Sequence, residues 1–148
     1  MASREPIAMT ARHVFLSYCR DDAHEVARLR QDLIDSGQAV WWDQDILGGQ
    51  DWEFEIRQAM KHSCAVVLCL SSNSQRRVTT GIYPEALNAI ATLRKYRPGE
   101  VFLIPVRLDE CEIPSLDIDG VRQLDRLHHV DLFPDRAAGF QRLLVSIR

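Results

Sequence analysis

Glu85 is the one carboxylate in the stretch LSSNSQRRVTTGIYPEALNAI, residues 70–90, directly after Tyr83-Pro84. Pro favours the first position of a helix, and acids near a helix N-terminus are stabilised by the aligned peptide dipoles. Glu85 is therefore either an ordinary helix-start acid or a residue that the fold exists to position. The stretch alone leaves both readings open. Two other runs group side chains that can bind or react. Ser17-Tyr18-Cys19-Arg20-Asp21 combines hydroxyls, a thiol, a guanidinium and a carboxylate, and Trp41-Trp42-Asp43 sets aromatic rings beside an acid. Ser71 and Ser74 add hydroxyls just ahead of Glu85.

The elements that must position these residues follow from apolar spacing. HVFLSY (13–18) is a run of strand formers. Val26, Leu29 and Leu33 recur at helical spacing after it, Asp22 with Glu25 resembles a capping box, and Gly37 is a stop. QAVWWD (38–43) reads as a second strand, on which Trp41 and Trp42 point to opposite faces. QDILGGQ is a loop, and Asp51 can cap a helix through Trp52, Ile56 and Ala59 to about Lys61. The continuous apolar run CAVVLCL (64–70) reads as a strand buried on both faces.

SSNSQRRVTTG reads as a polar loop, followed by a helix from about Pro84 whose buried face carries Leu87, Ile90 and Ala91. VFLIPV (101–106) is a fourth strand, with Pro105 suggesting an irregular or edge position. Residues 107–127 are loop-rich, and HHVDLF (128–133) is a short fifth strand. Phe140, Leu143, Leu144 and Ile147 have the spacing of a last helix. Residues 1–11 read as a flexible arm and 12–148 as one domain. Alternating strand and helix predicts an α/β, flavodoxin-like doubly wound sheet of five parallel strands with helices on both faces. Ligands of such sheets bind beyond the carboxyl ends of the strands at the topological switch point, here between strands one and three. That is where Tyr18–Asp21, Ser71–Ser74 and, from strand two, Trp42 and Asp43 are brought together. Loops are polar in any case, so the convergence alone does not establish a site.

Composition narrows the chemistry. The 148 residues carry a formal net charge of -3, with 46% hydrophobic and 26% charged residues, as in an ordinary globular domain. Nothing in that balance calls for nucleic acid or an anionic membrane, and Arg76-Arg77 and Arg94-Lys95-x-x-Arg97 read as solvated surface. No run approaches the ~20 apolar residues of a membrane span, and MASREPIAMTARH holds no apolar stretch suited to a secretory signal. Cys19, Cys64, Cys69 and Cys111 show no C-x-x-C spacing, which fits a reducing, cytoplasmic setting. Glycine-rich phosphate loops are absent from the sequence. Adjacent His128 and His129 on a strand would face opposite ways, so no metal site is expected.

Four segments in order carry a resemblance: HVFLSYCRDD, VWWDQDILGGQDWEFEIRQAM, AVVLCLSSNS and VFLIPVRLDECEIP. Together they resemble a bacterial Toll/interleukin receptor (TIR) domain over about residues 12–148. The first matches the family's opening box and the second its second box, the loop after strand two. Each motif is weak alone; their order and spacing are more specific. The resemblance implies one of two roles, a self-associating signalling scaffold or an NAD+ glycohydrolase of defence and cell-death signalling, antiphage defence included. In the enzymes a Glu in the helix after strand three is catalytic, and by position that residue is Glu85. The family often carries an aromatic four residues before it, where Gly81 stands here, so Tyr83 or Ile82 is the nearest candidate. The second box often carries Pro where Gly48 stands.

The expected reaction splits the nicotinamide–ribose bond of NAD+, giving nicotinamide and ADP-ribose or a cyclic isomer. Nicotinamide leaves a pyridinium as a neutral molecule and needs no general acid, so one ionised carboxylate facing an oxocarbenium-like sugar can suffice. NAD+ is then substrate, and no resident cofactor is expected. Tyr18, Arg20, Asp43, Trp52, Ser71, Ser74 and Tyr83 are the candidate substrate contacts. Tyr18 and Trp52 serve either stacking or packing, Asp43 either substrate or loop order, Ser71 and Ser74 either ribose or the turn. The expected partners are other TIR domains, met through loop 44–52 and adjacent helices, and a fused or separate sensor domain. A nucleoside deoxyribosyltransferase-like enzyme is a third reading. A receiver-like magnesium pocket at Asp21-Asp22 is disfavoured, because Ser71 ends strand three where that chemistry needs an Asp.

Overall fold

The computed structural model describes residues 12–79, 91, 102–115, 117–118 and 122–147. Among them five strands form one parallel sheet: β1 (His13–Ser17), β2 (Val40–Trp41), β3 (Ser63–Leu70), β4 (Phe102–Arg107) and β5 (Val130–Asp131). The order is β2-β1-β3-β4-β5. The chain leaves β1 toward one edge and crosses to its other side for β3, so the switch point lies between β1 and β3, as the alternation predicts. β3 is the spine, pairing with β1 through Ser17↔Leu68 and with β4 through Leu70↔Arg107. Its run from Ala65 to Leu70 is buried.

Helix α1 (Ala23–Asp35) and the last helix, here α4 (Arg136–Ile147), cover one face. Val26, Leu29 and Leu33 of α1 and Leu143 of α4 pack with Val14, Leu16 and Val67. Helix α2 (Trp52–Lys61) covers the other face, with Ala59 and Met60 against Phe15 and Val66. Trp42 joins the first cluster and Trp41 stacks on Phe15 beside the second, at 5.0 Å between ring centroids. The two tryptophans thus serve opposite faces, as their strand spacing predicts. Asp51 caps α2 as expected, its Oδ1 accepting from Phe54 N at 3.0 Å.

Five expectations need correction. Residues 72–79 are not a loop but helix α3 (Ser72–Thr79), which the absence of an apolar stripe concealed. Asp22 precedes α1 but its side chain accepts no capping bond there. Pro105 is not on an edge: β4 lies between β3 and β5, Pro105 pairs with Leu68, and the β5 ladder begins one residue later at Val106↔Val130. Ala91 is helical but exposed, so it does not mark a buried face. His128 and His129 precede the two-residue β5.

Gly139 lets α4 approach the sheet: a Cβ there would overlap the Asp131 carbonyl. Arg107, at the end of β4, grips Asp131 with Nε and one terminal nitrogen at 2.7 and 2.8 Å and gives its other terminal nitrogen to the Cys111 carbonyl. These bonds fix the short β5 and hold the Asp131 carboxyl below its usual range.

Candidate functional site

A cleft of about 370 Å³ lies at the carboxyl ends of β1 and β3, bordered by Asp21, Asp22, Glu25, Ser71, Asn73 and Asp109. It is the switch-point crevice, built from three connections. After β1 a single 3-10 turn, Arg20–Asp22, leads into α1. After β3 the chain turns at once into α3. After β4 comes Asp109.

Asp22 is the centre of the arrangement. It is 7% exposed, and each of its oxygens accepts a side-chain bond from 49 and 51 residues away. Ser71 Oγ donates to Oδ2 at 2.5 Å and Asn73 Nδ2 to Oδ1 at 2.8 Å. Ser71 and Ser74 are 1% and 2% exposed and bind each other as well. Ser74 Oγ accepts from Ser71 N at 2.8 Å and donates to the Ser71 carbonyl at 2.9 Å, while Ser71 Oγ accepts from Ser74 N at 3.2 Å. Each serine has one hydroxyl proton, and both protons are engaged within the protein. From the other side Asp109 caps α3, with Ser72 N and Oγ donating to its two oxygens at 2.7 and 2.9 Å. Two carboxylates from opposite flanks thus hold the α3 N-terminus, where the peptide dipoles favour them.

Beside the crevice, Tyr18 follows β1 and is 7% exposed. Its phenol donates to Asp43 Oδ1 at 2.5 Å and accepts from Gln44 Nε2 at 3.2 Å. Burial, then the bond to Asp43, push the phenol well above the usual tyrosine range. Its ring lies 5.8 Å from Trp42, over which the Arg30 guanidinium sits at 5.1 Å. Arg20 is exposed at the end of β1. Trp52 is 50% exposed at the start of α2, away from the core. Glu85, Tyr83 and Gly81 lie outside the described residues. The structure therefore brings Ser71 to the crevice with Ser74 bonded to it, brings Tyr18 to Asp43, and leaves Trp52 half-exposed. It adds Asp22, Asn73 and Asp109. Their signal in the sequence was positional: acids and an amide flanking strands that the topology makes neighbours.

The cysteines are free, and Cys19, Cys69 and Cys111 are buried. Burial pushes the Cys111 thiol up to about 11, which suits packing rather than nucleophilic attack. Among the described residues no group of three or more His, Cys, Asp or Glu side chains is placed to hold a metal ion. No helix among them is long and apolar enough to cross a membrane.

A family model described as a TIR domain matches residues 14–144. The chain belongs to the TIR domain family. Solved structures agree on the fold. The TIR domain of the Toll-related receptor TRR-2 from Hydra magnipapillata is similar with a TM-score of 0.69 at 18% identity, covering 91% of this chain and 97% of that one. The TIR domains of the activated Roq1 resistosome, which directly recognises the pathogen effector XopQ, give 0.68 at 19%, covering 93% and 100%. A prokaryotic SEFIR domain gives 0.62 at 18%, covering 93% and 92%. No curated protein matches the chain. In this TIR domain the first box supplies Tyr18 and Asp22, the second supplies Asp43 and the loop to Trp52, and the strand-three segment supplies Ser71, Asn73 and Ser74.

Proposed function

We propose that this TIR domain is an NAD+ glycohydrolase that cleaves the nicotinamide–ribose bond. The observation that carries the reading is the acid-bordered crevice at the β1/β3 switch point, on a fold whose family includes such enzymes. A ring of carboxylates suits the cationic nicotinamide end of NAD+ and the positive charge that grows on the ribose as the bond breaks. Glu85, which follows α3 in the chain, is assigned as the carboxylate that faces that charge. The C1′–N bond breaks with its electron pair going to nicotinamide, and water or an internal nucleophile of the adenine ring closes C1′. Water gives ADP-ribose and the internal route gives a cyclic product, and each route releases one proton.

Arg20 is assigned to the pyrophosphate, since an exposed guanidinium one residue before the crevice-lining Asp21 can bind it bidentately. Ser71 and Ser74 serve the crevice wall, because their hydroxyl protons are engaged there. Tyr18 and Asp43, bonded to each other, shape the second-box loop. Tyr83 is assigned to the nicotinamide side. Trp52 is assigned to contact with a second copy.

Self-association is assigned as the activating event, in a cytoplasmic defence or signalling setting with a sensor domain fused or separate. Leu47, Trp52 and Phe54 are 68%, 50% and 49% exposed around the second-box loop, an apolar display that favours a protein contact. The same display supports the second reading, a scaffold without catalysis. A titration of protein concentration at fixed NAD+ separates the two. The enzyme reading expects nicotinamide release that rises more steeply than protein concentration. Assembly with no nicotinamide release at any concentration selects the scaffold.

A further inference from the structure

The second-box segment has two mechanical parts. Its base, Trp42–Gln44, is anchored outside itself. Trp42 is buried under Arg30 and beside the Tyr18 ring, and the Tyr18 phenol holds both Asp43 and Gln44. Beyond the base the hydrogen bonds among the described residues are local. Asp45 N and Ile46 N donate to the Trp42 and Asp43 carbonyls, Trp42 N donates to Asp45, and Leu47 and Gln50 close a turn through Gly49 at φ +89°. Asp51 then starts α2. The tip therefore takes its direction from the base at one end and from α2 at the other.

A tip that shows Leu47 to water, beside the exposed Trp52 and Phe54 on the first turn of α2, is a costly conformation unless it is braced, because a released apolar side chain folds onto the nearest surface. We propose that Tyr18 is a positioning residue: its hydroxyl latches the base of the second-box loop to the end of β1 and so keeps the apolar tip displayed for a second copy of this chain. The inference rests on the loop being a self-association surface, as proposed above. It also gives that surface a connection to the crevice. Tyr18 lies one residue beyond Ser17, and Asp22, four residues further on, holds the β3–α3 junction. One short connection after β1 thus carries both the loop latch and the crevice wall.

Tyr18→Phe is the test, because the ring stays against Trp42 while the hydroxyl is lost; far-UV circular dichroism checks the fold. Asp43→Asn keeps an acceptor for the phenol and carries the same test should Tyr18→Phe fail to fold. Amide hydrogen exchange and sedimentation velocity over a protein concentration series are read together. Loss of a hydrogen bond to a charged acceptor predicts about tenfold or faster exchange at Asp45 and Ile46. A loop displayed for a smaller fraction of the time predicts about tenfold more protein for half-association. Asp43→Asn falls between wild type and Tyr18→Phe in both readouts. Unchanged exchange in the folded variant overturns the latch, whatever association does. Faster exchange with unchanged association overturns its link to assembly. If wild type does not associate at any concentration, the docking reading of the loop fails, and exchange still decides the latch.

Discussion

Asp22→Ala removes a side chain that spans the crevice from the β1–α1 connection to the β3–α3 junction. The variant leaves the Ser71 hydroxyl and the Asn73 amide without their carboxylate, in a site where Ser71 is 1% exposed. A hydrogen bond to a charged group contributes ~1.5–3 kcal/mol, so two such bonds are ~3–6 kcal/mol in gross terms. Relief of the desolvation of the carboxylate and entry of water from the adjoining cleft offset part of this. The net loss expected is ~2–4 kcal/mol, or roughly 5–15 °C in Tm for a domain of this size. Asp22→Asn offers one acceptor oxygen to two donors and should lose about half as much. Asp21 is the comparison in the same turn: it is exposed, its Oδ2 faces Cys19 Sγ at 3.9 Å, and Asp21→Ala should cost about 1 kcal/mol or less. Urea unfolding followed by circular dichroism measures all three. An Asp22→Ala variant as stable as wild type, or an Asp21→Ala variant as damaged as Asp22→Ala, would refute the argument that Asp22 holds the crevice together.

Two further outcomes test other parts of the structure. Gly→Ala inside a helix ordinarily gains up to ~1 kcal/mol, but Gly139→Ala drives a methyl into the Asp131 carbonyl and should instead cost ~1–3 kcal/mol, read from the denaturant midpoint. His13 is buried, donates from Nε2 to the Ala59 carbonyl at 2.7 Å, and leaves Nδ1 buried without a partner. Burial lowers its pKa below 6.5 despite that bond. The unfolded chain therefore takes up the extra proton first. Stability is complete above pH 6.5, falls by at most about 1.4 kcal/mol per pH unit toward the folded pKa, and levels below it. His13→Gln should flatten that slope in unfolding curves collected between pH 5 and 7; an unchanged slope contradicts the assignment.

The sheet was legible because its signals are local and strong. The apolar run 64–70, the α1 spacing of Val26, Leu29 and Leu33, and the α4 spacing ending at Ile147 each announce one element. Topology then follows from alternation. What stayed hidden is tertiary. Helix α3 is polar, and its start is held by Asp109 and Asp22 from other connections, so no window of its own sequence reveals it. Asp22 three residues before Glu25 fits a capping box, yet the carboxylate finds better donors across the crevice. The Tyr18–Asp43 pair spans 25 residues and has no periodic signature. Pro105 suggested an edge because proline lacks an N–H; the sheet accommodates it by starting the β5 ladder one residue later.

Catalysis by Glu85 is read from nicotinamide release from NAD+, with wild type and Glu85→Gln compared at matched, clustered protein concentration. Wild type is expected to release nicotinamide and Glu85→Gln to lose that release, with unchanged circular dichroism and unchanged self-association. Equal release by the two proteins would contradict that role for Glu85.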